Sequence, residues 1–423
     1  MLILAGVSIN LVLGDTGRIT KAKEAQRKSA EASQNDLIGM NELAQQLEEK
    51  INGSTGSGSG NGGAGGSGAG TKVPAEETAE TAPYFPDNTF TKKEGTIDTG
   101  LVIQDASGNE YVWVVVPRTT AVYKTTGLGK TAFTDADYTS IEKDLKDYTS
   151  TYVTRDGYSD TYVADDKNVG WFADATAYNN LKNSMLKSIY ENGGFYVGRY
   201  EAGIGTNRTS NIDKNSEEKY ITPSTAPVTK ADAYPYTYVT RTQAQNLASN
   251  VNSGTKTSSL MFGVQWDLVL AFMSKDTAKV TDTRKLTSNS TTIGNYRNSV
   301  FQLSQTGKYA TMSDWSLSST WNQSTKPTTN FVDSSRNKIA QSSDGNGILV
   351  TTGTSETNKV MNIYDIAGNV WEWTLEKTSN TNNPCADRGG FFIGTGSDYP
   401  AAGRYDDSAD VSSKVIGFRV SLF

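Results

Sequence analysis

The chain contains no histidine. That absence removes Ser-His-Asp and Cys-His nucleophile systems and every histidine-ligated metal site. Cysteine occurs once, as Cys385. No disulfide can form within the chain, and no site can draw on two thiolates. Charged residues are scarce as well, at 20% of 423, below the usual quarter. Their balance is acidic, with a formal net charge of -6. That argues against nucleic acid as a partner, because binding phosphates needs a basic face. What is plentiful is Tyr, with 21, and Gly, with 40, alongside much Ser, Thr and Asn. This mixture suits a secreted or surface protein with many loops. The length exceeds one average domain and allows a sizeable core, on which a disulfide-free extracellular protein must rely.

The first thirteen residues, MLILAGVSINLVL, are almost wholly apolar. A bilayer span needs about 20 such residues, so the run is short. It lacks the basic n-region and small-residue cleavage site of a signal peptide. It reads as the second half of a longer apolar helix, with a buried or interfacial helix as the alternative. Beyond Gly14-Asp15-Thr16-Gly17, the residues Leu37, Met40, Ala44, Leu47 and Ile51 recur at spacings of three and four. They form one apolar stripe on a helix, too thin to fold alone. LILAGVSINLVLGDTGRITKAKEA resembles the start of type IV pilin-like proteins of Gram-positive bacteria. That resemblance implies a helix that anchors the subunit and self-associates, in a filament or a membrane, at the cell surface. It lacks the family's cleavage site and early glutamate. Arg18, Lys21, Lys23, Arg27 and Lys28 also follow the apolar run. The positive-inside rule would place them in the cytoplasm, whereas a pilin would place them outside.

Residues 53–70, GSTGSGSGNGGAGGSGAG, form a flexible linker, which spans about 20–25 Å on average. Residues 71–84 add Pro, Thr and Glu and read as extended. The division is thus helix over 1–52, linker over 53–85 and head over 86–423. In the head, GLVIQDASGNEYVWVVVP reads as two strands about a turn. Leu181–Glu191 reads as a helix, and GGFYVGRYEAG as a strand. Thr240–Val251 reads as a helix capped by Thr240 or Thr242, and Val264–Met273 as a strongly apolar helix. The Ser/Thr/Asn-rich segments that follow show little periodicity and read as long irregular loops. The head is α+β with low regular content.

NEYVWVVVP, GGFYVGRYEAG, PVTKADAYPYTYVTRTQAQNLA, VQWDLVLAFM, YDIAGNVWEWT, RGGFF and IGFRVSLF occur in that order between 109 and 423. Together they resemble the formylglycine-generating enzyme (sulfatase-modifying factor) family, whose fold is C-type-lectin-like. The resemblance implies a calcium ion at the Asp365 and Glu372 carboxylates and the Gly368 and Val370 carbonyls. Calcium takes mixed carboxylate and carbonyl oxygens, and Trp371 and Trp373 would then alternate into the core. The competing reading pairs Asp365 and Glu372 with Arg388 or Arg419. The family's oxidase binds copper through two cysteines, and those positions hold Gly394 and Tyr399 here. Without thiolates there is no soft ligand for copper(I), so the oxidase chemistry fails at its centre. The fold does not by itself fix a function.

FFIGTGSDYPAAGRYDDSADVSS, residues 391–413, contains no Lys, Glu, Gln, Met or Trp. Its Tyr, Ser, Asp and Gly are the vocabulary of adaptable binding loops. The missing residues are those an Asn codon ending in C or T cannot reach through its first two bases. The stretch resembles the variable lectin-fold proteins of diversity-generating retroelements. An ordinary polar loop is the plainer alternative. Candidate ligand contacts are Phe391, Phe392, Thr395, Ser397, Asp398, Tyr399, Tyr405, Asp406 and Asp407. The expected partner is a protein or glycan. Two other readings stand beside this one. One is a structural filament subunit with a passive head. The other is an enzyme using Asp406, Asp407 or Asp398 for acid–base work.

Overall fold

The computed structural model describes residues 70–164, 172–206, 225–327 and 329–423. The helix and linker read over 1–69 lie outside these residues. Among the described residues, the main strands are β1 (Thr91–Glu94), β2 (Val102–Gln104), β3 (Glu110–Val115), β4 (Gly194–Gly198) and β5 (Ser258–Leu260). They continue as β6 (Lys308–Ser313), β7 (Ser316–Gln323), β8 (Gly347–Val350), β9 (Trp371–Thr378) and β10 (Cys385–Arg388). The last are β11 (Arg404–Asp407), β12 (Ile416–Phe418) and β13 (Val420–Leu422). The main helices are α1 (Asp135–Tyr148), α2 (Ala175–Asn192), α3 (Arg241–Ala248) and α4 (Gly263–Met273).

One sheet runs β1-β2-β3-β4-β13-β5, all antiparallel. Its central strand β3, EYVWVV, is buried along its whole length. A strand with neighbours on both edges and cover on both faces reads as a continuous apolar run. Asp105 closes the β2–β3 turn by accepting the Asn109 N–H at 2.8 Å. A second sheet runs β11-β10-β9-β12, with β12 parallel to β9. A third, β7-β6-β8, is a hairpin with one added strand.

The helices bear out the sequence reading and extend it. Thr240 caps α3: its Oγ1 accepts the Gln243 N–H at 3.3 Å and Gln243 bonds back at 3.0 Å, a reciprocal capping box. All eleven residues of α4 are buried. Its first N–H groups donate to the buried Asp160 carboxylate at 2.6 and 3.0 Å.

Two findings depart from the sequence reading. Residues 71–85 are packed into the domain, with Val73, Ala82, Tyr84 and Phe85 buried. Trp113 Nε1 donates to Thr81 Oγ1 at 2.7 Å, and the Tyr196 hydroxyl donates to the Tyr84 carbonyl at 2.8 Å. The packed unit therefore begins before Pro86. The second departure is the β6–β7 hairpin, where long irregular loops were expected. Its turn, Asp314-Trp315, has φ of 47° and 63°, positions where Asn-Gly would be the usual signal.

Candidate functional site

The YDIAGNVWEW segment is a turn feeding β9. Asp365, Gly368 and Asn369 all have positive φ. At Gly368 an added Cβ would lie 2.2 Å from the Asn295 carbonyl oxygen, so only glycine fits. Asn369 is buried and ties three segments together. Its Nδ2 donates to Glu201 at 2.8 Å, and its Oδ1 accepts from Asn295 Nδ2 at 3.0 Å and from the Val350 N–H at 3.1 Å. The segment is thus a scaffold joint beneath the surface.

The charges around that joint are also internal. Arg419 donates to both Glu372 oxygens, at 2.6 to 3.2 Å. Asp365 accepts the Gly353 N–H at 2.9 Å and is within 3.3 Å of Asn358 Nδ2. Gly368 N–H donates to the Gly389 carbonyl, and Val370 N–H faces Glu201. Burial, then the neighbouring Asp365 and Glu372, pushes the Glu201 carboxyl well above its ordinary value. Burial raises Asp365 as well, and raises Glu372 in spite of Arg419. As arranged, this donor set does not fit calcium. The Arg419 guanidinium already supplies the positive charge that a cation on Glu372 would bring.

A second buried network lies behind β10 and β11. Arg388 donates to Asp267 at 2.7 Å and Glu376 at 3.1 Å, and Arg404 to Asp267 at 2.6 Å and Glu376 at 3.1 Å. Two cations meet two anions, so the square is neutral. It fixes the strands that carry the expected binding loop to α4 and β9.

On the opposite face of those strands, the loop residues come together around Trp371. Phe391 and Tyr405 stack on it with ring centroids at 5.6 and 5.7 Å, both at 24°. Tyr399 meets the same ring edge-on at 5.4 Å. Tyr405 is 43% exposed, and Phe391 and Tyr399 are partly exposed. Ser397 and Asp398 are exposed at a turn. The Thr395 and Ser397 hydroxyls sit 3.0 Å apart, and Thr395 Oγ1 accepts the Asp398 N–H. Asp406 accepts from Asn380 Nδ2 at 2.8 Å, with Arg155 3.6 Å away. Asp407 is half-buried and abuts Asp387. Phe392 departs from the group: it is 0% exposed and packs with Met312, Leu349, Val370 and Ile393. The alternation of two adjacent Phe residues sends one in and one out.

The same surface includes residues that the sequence did not single out. Leu317, Trp321 and Val415, like Phe391, are partly buried and pack against that apolar cluster. Trp315, 57% exposed at the hairpin turn, has its carbonyl bonded by Lys414 Nζ at 2.6 Å. Only the positive-φ, solvent-facing tryptophan marks this hairpin out, and φ is not visible in a sequence. Gly394 and Tyr399, which stand where the family's copper cysteines would be, are a buried turn residue and an aromatic wall. Cys385 is buried in β10.

Residues 282–422 match the family model of the sulfatase-modifying factor enzyme 1-like domain. No curated protein matches the chain. Among solved structures, Treponema denticola variable protein 1 is 13% identical with a TM-score of 0.26, over 54% of this chain and 84% of its own. CarF is 12% identical with a TM-score of 0.30, over 54% of this chain and 85% of its own.

Proposed function

We propose that this chain is a non-catalytic ligand-binding protein whose head recognises a protein or glycan on the Trp371 face. The observation that carries the reading is the solvent-facing aromatic cluster of Phe391, Tyr399 and Tyr405 over Trp371. Exposed hydroxyls and carboxylates of Ser397 and Asp398 border it. Such a surface offers rigid contact area at low entropic cost and adaptable polar groups at its edge. The frame beneath is held by Asn369 and the Asp267–Glu376–Arg388–Arg404 square, so the loop can change its surface residues without loss of its support. The absence of a cysteine pair supports a role other than the family's oxidase chemistry.

The pilin-like start adds two further proposals: self-association through residues 1–52, and display at the surface of a Gram-positive cell across the linker. Among the described residues, no helix is long and apolar enough to cross a membrane.

The test is binding of the full chain to glycan and surface-protein arrays, repeated with Tyr405→Ala and Asp398→Ala. We expect at least a tenfold loss of binding with stability changed by no more than about 1 kcal/mol, as for exposed positions. No bound partner, or binding indifferent to both substitutions, overturns the reading.

A further inference from the structure

Strands β10 and β11 place Asp387 opposite Tyr405 and Cys385 opposite Asp407. In an antiparallel pair, opposed residues share a face and diagonal neighbours come within reach of each other. Asp387 and Asp407 are such a diagonal pair, and their carboxyl groups meet. Asp387 is 0% exposed. Apart from the Asp407 carboxyl, neither of its oxygens meets a hydrogen-bond partner.

The neighbouring arginines are committed elsewhere, and Lys377, opposite Cys385 on β9, forms no ion pair with either carboxylate among the described residues. Arg388, the next residue, is held by Asp267 and Glu376. Arg155 faces Asp406, whose other oxygen takes Asn380. Among the described residues, no lysine or arginine pairs with Asp387 or Asp407. Asp406 adds a third negative charge nearby. Two adjoining carboxylates, one of them sealed from water, cannot both stay charged without a counter-charge. Asp387 is fully buried and Asp407 half-buried, so a counter-charge at the pair must be small.

We propose that Asp387 and Asp407 form a binding site for one hard divalent cation of the calcium class, on the Tyr405 side of β10 and β11. The pair offers up to four carboxylate oxygens, and calcium takes six to eight oxygens with water completing the shell. Burial, then Asp407, pushes the Asp387 carboxyl well above its ordinary value, and burial raises Asp407 too. A shared proton is therefore the competitor, and cation binding strengthens as pH rises. The bound ion would fix the strand that carries Tyr405. The site is distinct from the Asp365–Glu372 turn, where Arg419 already supplies the charge, and it stands whether or not the Trp371 face binds a ligand.

The experiment uses the full chain and terbium(III) as the probe. Trp373 lies opposite Asp387 on β9, so a bound ion there would show tryptophan-sensitised emission. We expect saturable emission at pH 7.5 that calcium displaces. Asp407→Asn and Asp387→Asn should each weaken binding at least tenfold, and Asp365→Asn should not. Asp407 is half-exposed, so Asp407→Asn tests the site even where Asp387→Asn fails to fold. Emission that Asp365→Asn removes and Asp407→Asn leaves intact overturns the proposal in favour of the other turn. No binding at millimolar calcium, with a raised unfolding temperature for Asp387→Asn, assigns the pair to a shared proton and overturns it equally.

Discussion

Lys338 shows how much one side chain decides here. Its ammonium is buried and donates to the carbonyls of Tyr296, Arg297 and Ser299. The loop it holds also supports the binding face: Arg297 N–H donates to the Gly394 carbonyl at 3.0 Å, and Asn298 accepts the Gly396 N–H. Among the described residues, no carboxylate pairs with Lys338; Asp344 is spent on Arg297. Burial pulls Lys338 down to about 7. The unfolded chain then carries more protons than the folded one from about pH 7 up to the ordinary lysine value. Stability must rise with pH across that window. Below pH 7 both states are protonated and the slope vanishes. Urea unfolding at pH 6.5, 8 and 9.5 should show this rise in the native chain and lose it in Lys338→Met. Parallel curves for the two proteins would mean that the three carbonyls keep the ammonium charged against the cost of burial. Nothing in the sequence distinguishes this lysine from the exposed ones, since its acceptors come from a loop some forty residues away.

Among the elements, legibility followed the physics that formed each one. Strand β3 and helix α4 are readable because continuous burial demands continuous apolar sequence, and α3 because Thr240 or Thr242 offers an N-cap at its start; the Gln243 half of the capping box emerges only in the structure. Hairpin β6–β7 is not readable, for two reasons. Its second strand, SLSSTWNQ, is exposed or half-exposed throughout, so it carries no clean alternation. Its turn uses Asp314 and Trp315 at positive φ, against residue preference. Bulky side chains in that region store strain of about 1–3 kcal/mol, and such strain tends to persist where function holds it. Of the binding face, the aromatic loop is legible in composition, while its floor, Trp371, reads as core, being buried beneath Phe391, Tyr399 and Tyr405. Replacing Trp315 by Gly separates strain from use. Stability should stay level or rise by about 0.5–1 kcal/mol, while binding of the partner found on the arrays falls. A variant that binds normally would show that the exposed tryptophan lies outside the recognition surface.

At the scale of the whole molecule, the question is where the packed unit begins. Composition places residues 71–85 with the linker, because Pro, Thr and Glu dominate there. The few apolar residues among them do the opposite. Tyr84 packs edge-on against Trp113 and Tyr196, with centroids at 5.5 and 5.7 Å, in the middle of the largest sheet. Thr81 accepts the Trp113 indole N–H and itself donates to the Gly193 carbonyl at 2.8 Å. Glu76 accepts the Ile97 N–H at 3.0 Å and pairs with Lys92. A head starting at residue 86 would lose the Tyr84 ring, which costs about 3–5 kcal/mol for a buried aromatic. It would also leave the Trp113 indole N–H unpaired, at about 1–3 kcal/mol more. Against a typical stability of about 5–15 kcal/mol, that loss consumes most of the margin. Residues 70–423 should therefore unfold in one cooperative transition at the midpoint of the full chain. Residues 86–423 should melt at least about 10 °C lower, or show no cooperative transition, by calorimetry. Equal midpoints for the two lengths would return residues 71–85 to the linker and leave the sheet complete without them.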